Sequence, residues 1–323
     1  MGPLISVVIP VKNGEGWLQN LFDGLSAQAL FSQCEIIVID SGSTDKSVEL
    51  SESNNATVYK IPPHEFNHGL TRNLGVEKSK GKYILMTVQD AVPAGSDFLE
   101  EMISCFRDEV VMAVCGLQTV PALSTTNPYQ WYRPVSAPEI RCYHFPEVEM
   151  IDRLSPDVKR VACGWDNVCA MYRASHIKQN PFPKVVFGED MAWCKDVLRK
   201  GYKVCYNPKA RVFHYHLYNK GYVYRRTFTE LYWYYRLFEY FPEKSEISGW
   251  IRNIASLFVK EHRVSFYKKF HWTCEEMQYR RLAARARRHF KRYLALGDTE
   301  LDKSYMNICG EVPQAPRIQK SST

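Results

Sequence analysis

Short apolar runs alternate with segments of helical hydrophobic spacing along the N-terminal two thirds of this chain. Five runs have the length of a buried strand: residues 5–10, 35–40, 57–61, 82–88 and 110–117. The segments between them repeat apolar residues at the spacing of one helix face: residues 17–25, 44–52, 71–80 and 96–106. This alternation predicts an α/β fold with a mostly parallel central sheet and helices on both faces.

The pattern loosens after the fifth strand. Residues 118–160 carry prolines and aromatic residues with weak periodicity, and we interpret them as a long excursion. The α/β pattern then resumes with a helix at 189–200 and with strands at 167–173, 203–206 and 211–214.

The last third of the chain is helical and basic. Its helical segments cover residues 222–241, 247–261 and 266–296, and the tail after Gly297 is expected to be irregular. Up to Leu217 there are 22 Lys and Arg against 24 Asp and Glu, a net charge of −2; from Tyr218 the numbers are 20 and 11, a net charge of +9. We therefore expect a catalytic domain at 1–217 and a basic, aromatic-rich helical extension at 218–323 that meets any anionic partner.

Cysteine usage and hydropathy bear on the cellular compartment. The ten cysteines are spread singly, and several, such as Cys115 and Cys169, lie in apolar runs where a reduced thiol packs as a small hydrophobe. Nothing near the N-terminus resembles a signal peptide, and no apolar run approaches the roughly 20 residues that cross a bilayer. These features predict reduced thiols and a cytoplasmic protein.

Two polar segments follow the first two strands. Residues 6–13 read SVVIPVKN and residues 36–45 read IIVIDSGSTD. Together they resemble the opening of the family 2 glycosyltransferases, which are inverting enzymes with the GT-A fold. The resemblance implies a nucleoside site formed by Pro10, Val11, Lys12 and Asp40, in which the Asp40 carboxylate accepts the N3–H of a uracil or thymine ring. Taken alone, Asp40 would be interpreted as the start of a turn.

Two further segments narrow the resemblance to a rhamnosyltransferase-like branch of the family. Residues 64–73 read HEFNHGLTRN, and residues 88–93 read VQDAVP. The branch implies a dTDP-L-rhamnose donor and a role in bacterial surface polysaccharides such as O-antigen or capsule. Arg72, near a helix start, would bind the donor diphosphate, and His68 is assigned to the same nucleotide-sugar site. The alternative is that Arg72 pairs with a surface acid and His68 supports the turn.

Residues 89–91, QDA, stand where the GT-A fold has its Asp-x-Asp metal motif. Only Asp90 is acidic, and hard divalent cations such as Mn²⁺ or Mg²⁺ bind two carboxylates better than one, so metal dependence is left open. Gln89 is assigned to the donor site beside Asp90. His214 and His216 should project to one face of a strand, either as Mn²⁺ ligands or, when protonated, as donors to the leaving phosphate.

Glu189 and Asp190 open a predicted helix. An inverting transfer needs a carboxylate that takes the proton of the acceptor hydroxyl during attack. The resemblance assigns this role to Asp190, with Glu189 as a supporting group. The alternative is that both acids stabilise the helix dipole, which contributes about 0.3–1 kcal/mol. Trp165 and Asp166 are candidates for the acceptor site, although core packing explains Trp165 equally well.

The helix predicted at 266–296 is basic and amphipathic. Apolar residues recur along one side of it: Leu282, Ala286, Phe290, Tyr293 and Leu294. Such helices lie on anionic membranes, which would dock the enzyme at the inner face of the cell membrane, where a lipid-linked glycan is assembled. The alternatives are a stripe that packs on the catalytic domain and a dimer interface.

The sequence therefore predicts an inverting glycosyltransferase that moves a sugar, L-rhamnose first, from a nucleotide-sugar donor to a glycan or lipid-linked glycan acceptor. A UDP-hexose-dependent enzyme of the same family and a non-catalytic scaffold with the same fold are alternatives. A nucleic-acid-binding protein is disfavoured because the chain lacks a recognisable reading motif and its first two thirds are nearly neutral.

Overall fold

A computed structural model of the chain describes residues 2–123, 126–131, 139–216, 218–242 and 247–310, without the side chains of 247–249. Leu217, the last residue of the predicted catalytic domain, lies outside the described residues. Two compact units are present: Met1–Thr119 with Ser136–His214, called the sheet unit below, and Val120–Val135 with Tyr215–Thr323, called the helical unit.

The described residues form nine strands: β1 (Ile5–Val11), β2 (Cys34–Asp40), β3 (Thr57–Lys60), β4 (Tyr83–Thr87), β5 (Val92–Pro93), β6 (Val111–Thr119), β7 (Arg141–His144), β8 (Cys169–Arg173) and β9 (Lys203–Phe213). The α-helices are α1 (Glu15–Ser26), α2 (Ser47–Ser53), α3 (His68–Lys78), α4 (Phe98–Ser104), α5 (Pro128–Trp131), α6 (Pro156–Ala162), α7 (Ala174–Gln179), α8 (Glu189–Arg199), α9 (Lys220–Phe238), α10 (Ile247–Lys260), α11 (Phe266–Leu294) and α12 (Asp298–Ile308).

All of the strands join one sheet in the order β3-β2-β1-β4-β8-β6-β9-β5, and β7 pairs with β9. The strands β1 to β4 are parallel to one another. β8 runs antiparallel to both β4 and β6, and β6 is parallel to β9. The predicted α/β class is confirmed, and the sheet is mixed, with its parallel part formed by the first strands of the chain.

This topology gathers several strand ends at one edge of the sheet. The carboxyl ends of β1, β2, β4, β6 and β9 meet there, and the reversed direction of β8 brings its amino end to the same edge. The register pairs that mark the edge are Val11 with Asp40, Thr87 with Cys169, and Thr119 with Phe213. Loops at this edge carry the candidate site residues, as ligand sites in α/β sheets do.

Helices pack on both faces of the sheet. The apolar face of α1 shares one buried core with alternate residues of β1: Leu18, Leu21, Phe22 and Leu25 with Ile5, Val7, Ile9 and Val11. Val8 of β1 points to the opposite face, where α3 comes so close that a Cβ atom on Gly75 would lie 2.2 Å from Val8 Cγ1. The period of two along β1 and the helical period of α1 therefore produce the layers.

Three helices of the helical unit share a core of their own: Phe228 and Leu231 of α9, Ala286 and Phe290 of α11, and Leu301 and Tyr305 of α12. The apolar stripe of α11 thus packs against α9 and α12 within its own unit. The expectation of an irregular tail after Gly297 was wrong for residues 298–308, because α12 buries its apolar face there and Asp298 pairs with Arg236 of α9 at 2.9 Å. Residues 311–323 of that tail lie outside the described residues. Among the described helices, none combines the length and apolar character needed to span a bilayer.

Two details of the sheet differ from the sequence expectation. The strands predicted at 203–206 and 211–214 are one strand, β9, whose register against β6 shifts between Cys115 and Leu117. At this shift four residues of β9, 207–210, stand opposite the single residue Gly116 of β6, and they include Pro208, which explains the break in the pattern. The excursion at 118–160 contains α5 and β7 and most of α6.

One pair of cysteines is oxidised. Cys142 of β7 and Cys205 of β9 are register partners and form a disulfide, so the expectation of reduced thiols was wrong for this pair. Their separation of 63 residues hides the pairing in the sequence. The other eight cysteines are free. Cys115 and Cys169 are buried as predicted, and burial raises the pKa of both thiols.

Two helical glycines test the close approach of α3 to β1. In Gly75→Ala the new Cβ would meet Val8 at 2.2 Å, and we expect this overpacking to lower the free energy of unfolding by about 1–3 kcal/mol. Gly16, in α1, has nothing within 4 Å of its Cβ position, so Gly16→Ala should stabilise the protein by about 0.5–1 kcal/mol. Urea unfolding measures both. A Gly75→Ala variant that gains stability like Gly16→Ala would contradict the close approach.

Candidate active site

The amino end of α3 is fastened to the segment that precedes α8. Asn67 caps α3 by accepting hydrogen bonds from the backbone of its first turn, and its amide donates to the carbonyl oxygen of Val185 at 2.8 Å. Further along α3, Asn73 exchanges two hydrogen bonds of 2.9 Å with the backbone of Phe182. The 64–73 motif therefore positions the chain that leads into α8.

Two glycines allow this arrangement. A Cβ on Gly69 would lie 2.5 Å from the carbonyl oxygen of Pro183, so only glycine lets α3 come this close to the segment before α8. Gly188 caps α8 with a φ of 75°, in the left-handed region that favours glycine. The backbone turn at Gly188 presents Glu189 and Asp190 in the first turn of α8.

Arg72 and Glu189 form a buried ion pair. Each residue is 5% exposed, and Arg72 Nη1 lies 2.9 Å from Glu189 Oε1. The same Glu189 oxygen accepts a hydrogen bond from Asn167 Nδ2 at 3.2 Å, and Arg72 Nη1 also donates to the carbonyl oxygen of His68 at 3.1 Å. Arg72 thus holds an acid inside the protein. Contact of Arg72 and His68 with a donor diphosphate stays a prediction.

Asp190 lies beside this pair in a mostly buried position. Its carboxylate accepts the backbone N–H of Asn167 at 3.2 Å and that of Met191 at 2.8 Å. Burial, followed by the negative charges of Glu189 and Asp166, raises the pKa of Asp190 well above its usual value, although Arg72 and the Met191 N–H act in the opposite direction. Asp190 therefore binds a proton more readily than an ordinary aspartate.

Trp165 packs in the core, where it is linked by hydrogen bonds to Asn167, a neighbour of Glu189 and Asp190. It is 5% exposed, and its Nε1 donates to the Tyr172 hydroxyl at 2.7 Å, which donates in turn to Asn167 Oδ1 at 2.6 Å. The ring of Trp193 lies 6.3 Å away. This burial favours the packing alternative for Trp165, and its stacking on an acceptor sugar stays a prediction. The hydrogen bonds orient Asn167, which contacts both acids of the pair.

A second set of polar side chains lies where β4, β6 and β9 end. His214 Nε2 lies 3.6 Å from Asp90 Oδ1, and His214 Nδ1 lies 2.6 Å from Gln118 Oε1. The amide nitrogen of Gln118 donates to Asp166 Oδ2. Asn167, the residue after Asp166, donates its backbone N–H to Asp190 Oδ2 at 3.2 Å, so one chain of contacts joins Asp90 to Asp190. We call it the contact chain.

Gln118 determines the tautomer of His214. A carboxylate only accepts hydrogen bonds, so the amide nitrogen of Gln118 faces Asp166 and its carbonyl oxygen faces His214 Nδ1. In the neutral imidazole the proton is therefore on Nδ1, and Nε2 carries its lone pair on the side of Asp90. A cation between them would attract both the lone pair and the carboxylate. A histidine with its second nitrogen held in this way is typical of metal sites.

The structure brings the three predicted metal ligands together. Among the described residues, Asp90, His214 and His216 each offer one ligand atom, and these atoms all lie within 4.8 Å of one another. One carboxylate oxygen and two imidazole nitrogens suit Mn²⁺, whereas Mg²⁺ prefers a shell of oxygens. Three protein ligands also leave coordination positions for diphosphate oxygens.

Asp40 lies at the end of β2, beside the end of β1. The residue is 3% exposed, and its carboxylate accepts the backbone N–H groups of Gly42 at 3.1 Å and Ser43 at 3.2 Å. These bonds are those of the turn alternative. A carboxylate has about four acceptor positions, so the turn leaves capacity for a nucleobase N–H. Pro10 and Val11 are the last residues of the neighbouring β1.

Gln89 connects the ends of β1 and β4. Its Oε1 accepts the backbone N–H of Lys12 at 2.9 Å, and its Nε2 donates to the Lys12 carbonyl oxygen at 3.4 Å. A Cβ on Gly14 would lie 2.8 Å from the same Oε1, so the loop after β1 is pressed against Gln89. The neutral amide at this position therefore holds the donor-side loop, and the Lys12 side chain is exposed.

Two residues that hold the site together, Gln118 and Asn167, were not among the site residues predicted from the sequence. Gln118 lies near the carboxyl end of β6, the kind of position that singled out Asp40 and Asp90, but it fell within the predicted excursion at 118–160. Asn167 was predicted as the start of a strand and as a neighbour of the acceptor candidates Trp165 and Asp166, without a link to Glu189 or Asp190. Its side chain contacts Glu189 and its backbone contacts Asp190, which only the antiparallel placement of β8 makes possible.

Comparison with known proteins identifies the family. The sequence profile of glycosyl transferase family 2 matches residues 6–164. The O-antigen chain rhamnosyltransferase RfbN of Salmonella typhimurium strain LT2 is 30% identical over 231 residues, which cover 69% of this chain and 70% of RfbN. The O-antigen chain rhamnosyltransferase WbaN of Salmonella anatum is 28% identical over 233 residues, which cover 70% of each chain.

Solved structures agree on the fold. The mannosyltransferase PcManGT from Pyrobaculum calidifontis, in complex with GDP-Man and Mn²⁺, superposes with a TM-score of 0.52 at 15% identity and covers 97% of this chain and 82% of its own. TarS 1-349 of S. aureus, in complex with UDP-GlcNAc, gives 0.53 at 15% identity, with coverages of 96% and 80%. The chain belongs to the family 2 glycosyltransferases. It is a glycosyltransferase with a GT-A fold.

The ion pair of Arg72 and Glu189 is accessible to a stability test. Arg72→Met leaves the Glu189 carboxylate buried without a charge partner, and we expect the free energy of unfolding to fall by about 3–5 kcal/mol. The double variant Arg72→Met, Glu189→Met carries no unpaired charge and should lie much closer to the wild type. Urea unfolding at neutral pH measures both variants.

Arg199 supplies the matched control. It pairs with Glu149 and Asp152 on the surface, where its side chain is 46% exposed, so Arg199→Met should change stability far less than Arg72→Met. The double variant would contradict a coupled pair if its loss in free energy of unfolding equalled the sum of the losses in Arg72→Met and Glu189→Met, because the two side chains would then act independently.

Proposed function

We propose that this glycosyltransferase transfers L-rhamnose from dTDP-L-rhamnose, with inversion, to a glycan acceptor in the synthesis of a bacterial surface polysaccharide such as O-antigen. The similarity to RfbN and WbaN over 70% of each relative supports the sugar and the pathway class. The contact chain between Asp90 and Asp190 is the single observation that carries the mechanism, because it connects a cation-binding group to a carboxylate with a raised pKa.

Asp190 is the proposed general base. The acceptor hydroxyl oxygen forms a bond to the anomeric carbon while the bond from that carbon to the diphosphate oxygen breaks. The hydroxyl proton passes to Asp190, and the diphosphate leaves with the bonding electrons. A base with a raised pKa accepts this proton more readily than an ordinary aspartate, as general base catalysis near neutral pH requires. Glu189, held by Arg72, keeps negative charge next to Asp190.

Asp40 and the end of β1 are proposed to bind the thymidine. Asp40 would accept the N3–H of the base, while Pro10, Val11 and Lys12 would contact the nucleoside. His68 and Arg72 are assigned to the diphosphate side. The exposed side chain of Lys12 supports its assignment to the nucleoside. The burial of Arg72 supports a role in positioning Glu189. Asp166 would approach the acceptor because the next residue, Asn167, donates its backbone N–H to Asp190.

Asp90, His214 and His216 are proposed to hold Mn²⁺, with Gln89 beside them. The metal would stabilise the negative charge that develops on the leaving diphosphate. Gln118 keeps the His214 proton on Nδ1, so that Nε2 is the nitrogen available to a cation. The donor set favours Mn²⁺ over Mg²⁺ because two of its three atoms are imidazole nitrogens.

The helical unit is proposed to bring the enzyme to its acceptor. A lipid-linked glycan at the inner face of the cell membrane would suit the excess of basic residues after Tyr218. A homo-oligomer formed through the same unit is the alternative use of this surface.

Replacing Asp190 tests the proposed base. We expect Asp190→Asn to lower kcat by on the order of 10²- to 10⁴-fold while the affinity for dTDP-L-rhamnose is retained. The wild-type rate should fall as the pH drops through the raised pKa of Asp190, because only the unprotonated carboxylate accepts a proton. Release of dTDP reports turnover, and calorimetry with the donor reports binding.

Asp196 provides the control on the same helix. Its exposed side chain pairs with Lys200 at 2.6 Å, and Asp196→Asn should keep wild-type turnover. Full activity of Asp190→Asn would transfer the role of base to another group. Turnover with UDP-hexoses but not with dTDP-L-rhamnose would favour the UDP-dependent alternative. Donor binding by a wild type that turns over no donor would favour the scaffold.

The metal assignment predicts that two different side chains affect Mn²⁺ affinity. His214→Gln removes a ligand, and Gln118→Leu removes the hydrogen bond that fixes the tautomer of that ligand. We expect Gln118→Leu to weaken Mn²⁺ binding by on the order of 10- to 100-fold, and His214→Gln to weaken it at least as much. Calorimetry or electron paramagnetic resonance of Mn²⁺ titrated in the presence of dTDP measures both.

His64→Gln serves as the matched control, because the His64 side chain is 82% exposed and lies outside the contact chain. It should leave Mn²⁺ affinity unchanged. Wild-type affinity in Gln118→Leu would show that the tautomer does not depend on Gln118. The same affinity for Mg²⁺ as for Mn²⁺ in the wild type would contradict the inferred nitrogen ligands.

A further inference from the structure

The hairpin formed by α10 and α11 exposes a compact set of apolar side chains at its tip. They are Val259, at 71% exposure, and Phe266, Tyr267 and Phe270, at 73%, 78% and 59%. We call these four residues the tip patch. Three are aromatic, and all four lie within two turns of where α10 ends or α11 begins. Large apolar side chains that are exposed close together are typical of interaction surfaces in soluble proteins.

The two helix ends are held side by side. The rings of Phe258 and Phe266 lie 5.6 Å apart, edge to face. Lys269 Nζ donates to the carbonyl oxygen of Phe258 at 3.4 Å and lies 6.0 Å from the centre of its ring. These contacts fix the end of α10 against the start of α11, and the exposed aromatic side chains project from this ordered turn.

The charge at the tip has one sign. Residues 258–272 contain four Lys and Arg but a single acid, Glu261. Glu261 is 6% exposed and is neutralised by Arg263 at 2.6 Å, so it contributes no exposed negative charge. Lys260 and Lys268 are exposed beside the apolar groups.

This combination fits an anionic lipid surface better than a protein. Aromatic side chains suit the interfacial region of a bilayer, and basic side chains near it bind lipid phosphates. Protein interfaces are depleted in lysine, whereas Lys260 and Lys268 are exposed next to residues of the tip patch. The apolar stripe of α11 is buried against α9 and α12, so that stripe cannot lie on a membrane.

We propose that the protein docks on anionic membranes through the tip patch, with Phe266, Tyr267 and Phe270 entering the interfacial region and Lys260 and Lys268 contacting lipid phosphates. The docking is tip-first, through a hairpin end rather than through a helix lying flat. The inference deepens the proposed function, on which it rests only for its biological purpose, because lipid binding is measured without donor or acceptor.

Co-sedimentation of the full chain with vesicles tests the proposal. Wild type should sediment with phosphatidylcholine vesicles that contain phosphatidylglycerol, and far less with phosphatidylcholine alone. The triple variant Phe266→Ser, Tyr267→Ser, Phe270→Ser should bind at least tenfold more weakly. The pair Lys260→Glu, Lys268→Glu should also weaken binding, by roughly fivefold or more for each charge. Both variants should keep wild-type affinity for dTDP, which shows that the sheet unit is folded.

The matched control removes exposed apolar groups elsewhere in the helical unit. Leu296 and Met306 are 61% and 60% exposed, and Leu296→Ser with Met306→Ser should bind vesicles like the wild type. Equal losses in this control and in the triple variant would overturn the proposal, as would equal binding to both vesicle types. A wild-type dimer that the triple variant converts to a monomer, without vesicle binding, would identify a second copy as the occupant. Failure of sugar transfer would leave the vesicle result unchanged.

Discussion

Two opposite charges, on Arg72 and Glu189, meet where almost no water reaches them. Because neither charge is tolerated there without the other, the pair fixes α3 against the start of α8. Asn67, Gly69 and Asn73 reinforce the same contact from the α3 side. The motif that was assigned to the donor from its sequence thus has a structural function as well. It determines where the general base of the proposed reaction lies.

The same contact shapes the electrostatics of the site. A carboxylate that neighbours both Glu189 and Asp166 in a mostly buried position is costly to ionise, and the pKa of Asp190 is raised accordingly. Arg72 limits that rise. Stability and the proposed catalysis therefore depend on one group of charges. Arg72 neutralises Glu189, and the unfavourable energy of a further buried charge appears as the raised pKa of Asp190.

Much of the fold followed from local patterns, and much of the site from strand ends. Asp40 and Asp90 were found because each follows an apolar strand, and Glu189 and Asp190 because they open an amphipathic helix. The partners of these residues depend on tertiary structure. Gln118 reaches His214 because β6 extends beside β9, and Asn167 reaches Glu189 because β8 runs against its neighbours. Neither the disulfide between Cys142 and Cys205 nor the packing of α12 leaves a local pattern.

The position of β9 has a consequence for biosynthesis. β9 lies between β6 and β5 although it is the last strand in the part of the chain that the structure describes, and the two histidines of the candidate metal site follow it directly. During translation the edge of β6 that pairs with β9 therefore has no partner strand until about residue 213 has left the ribosome. An unpaired edge strand is a template for non-native strand pairing. A chain that is released before β9 is made would keep this edge unpaired. Synthesis of β9 and the residues after it thus covers the edge of β6 and supplies the imidazoles of His214 and His216.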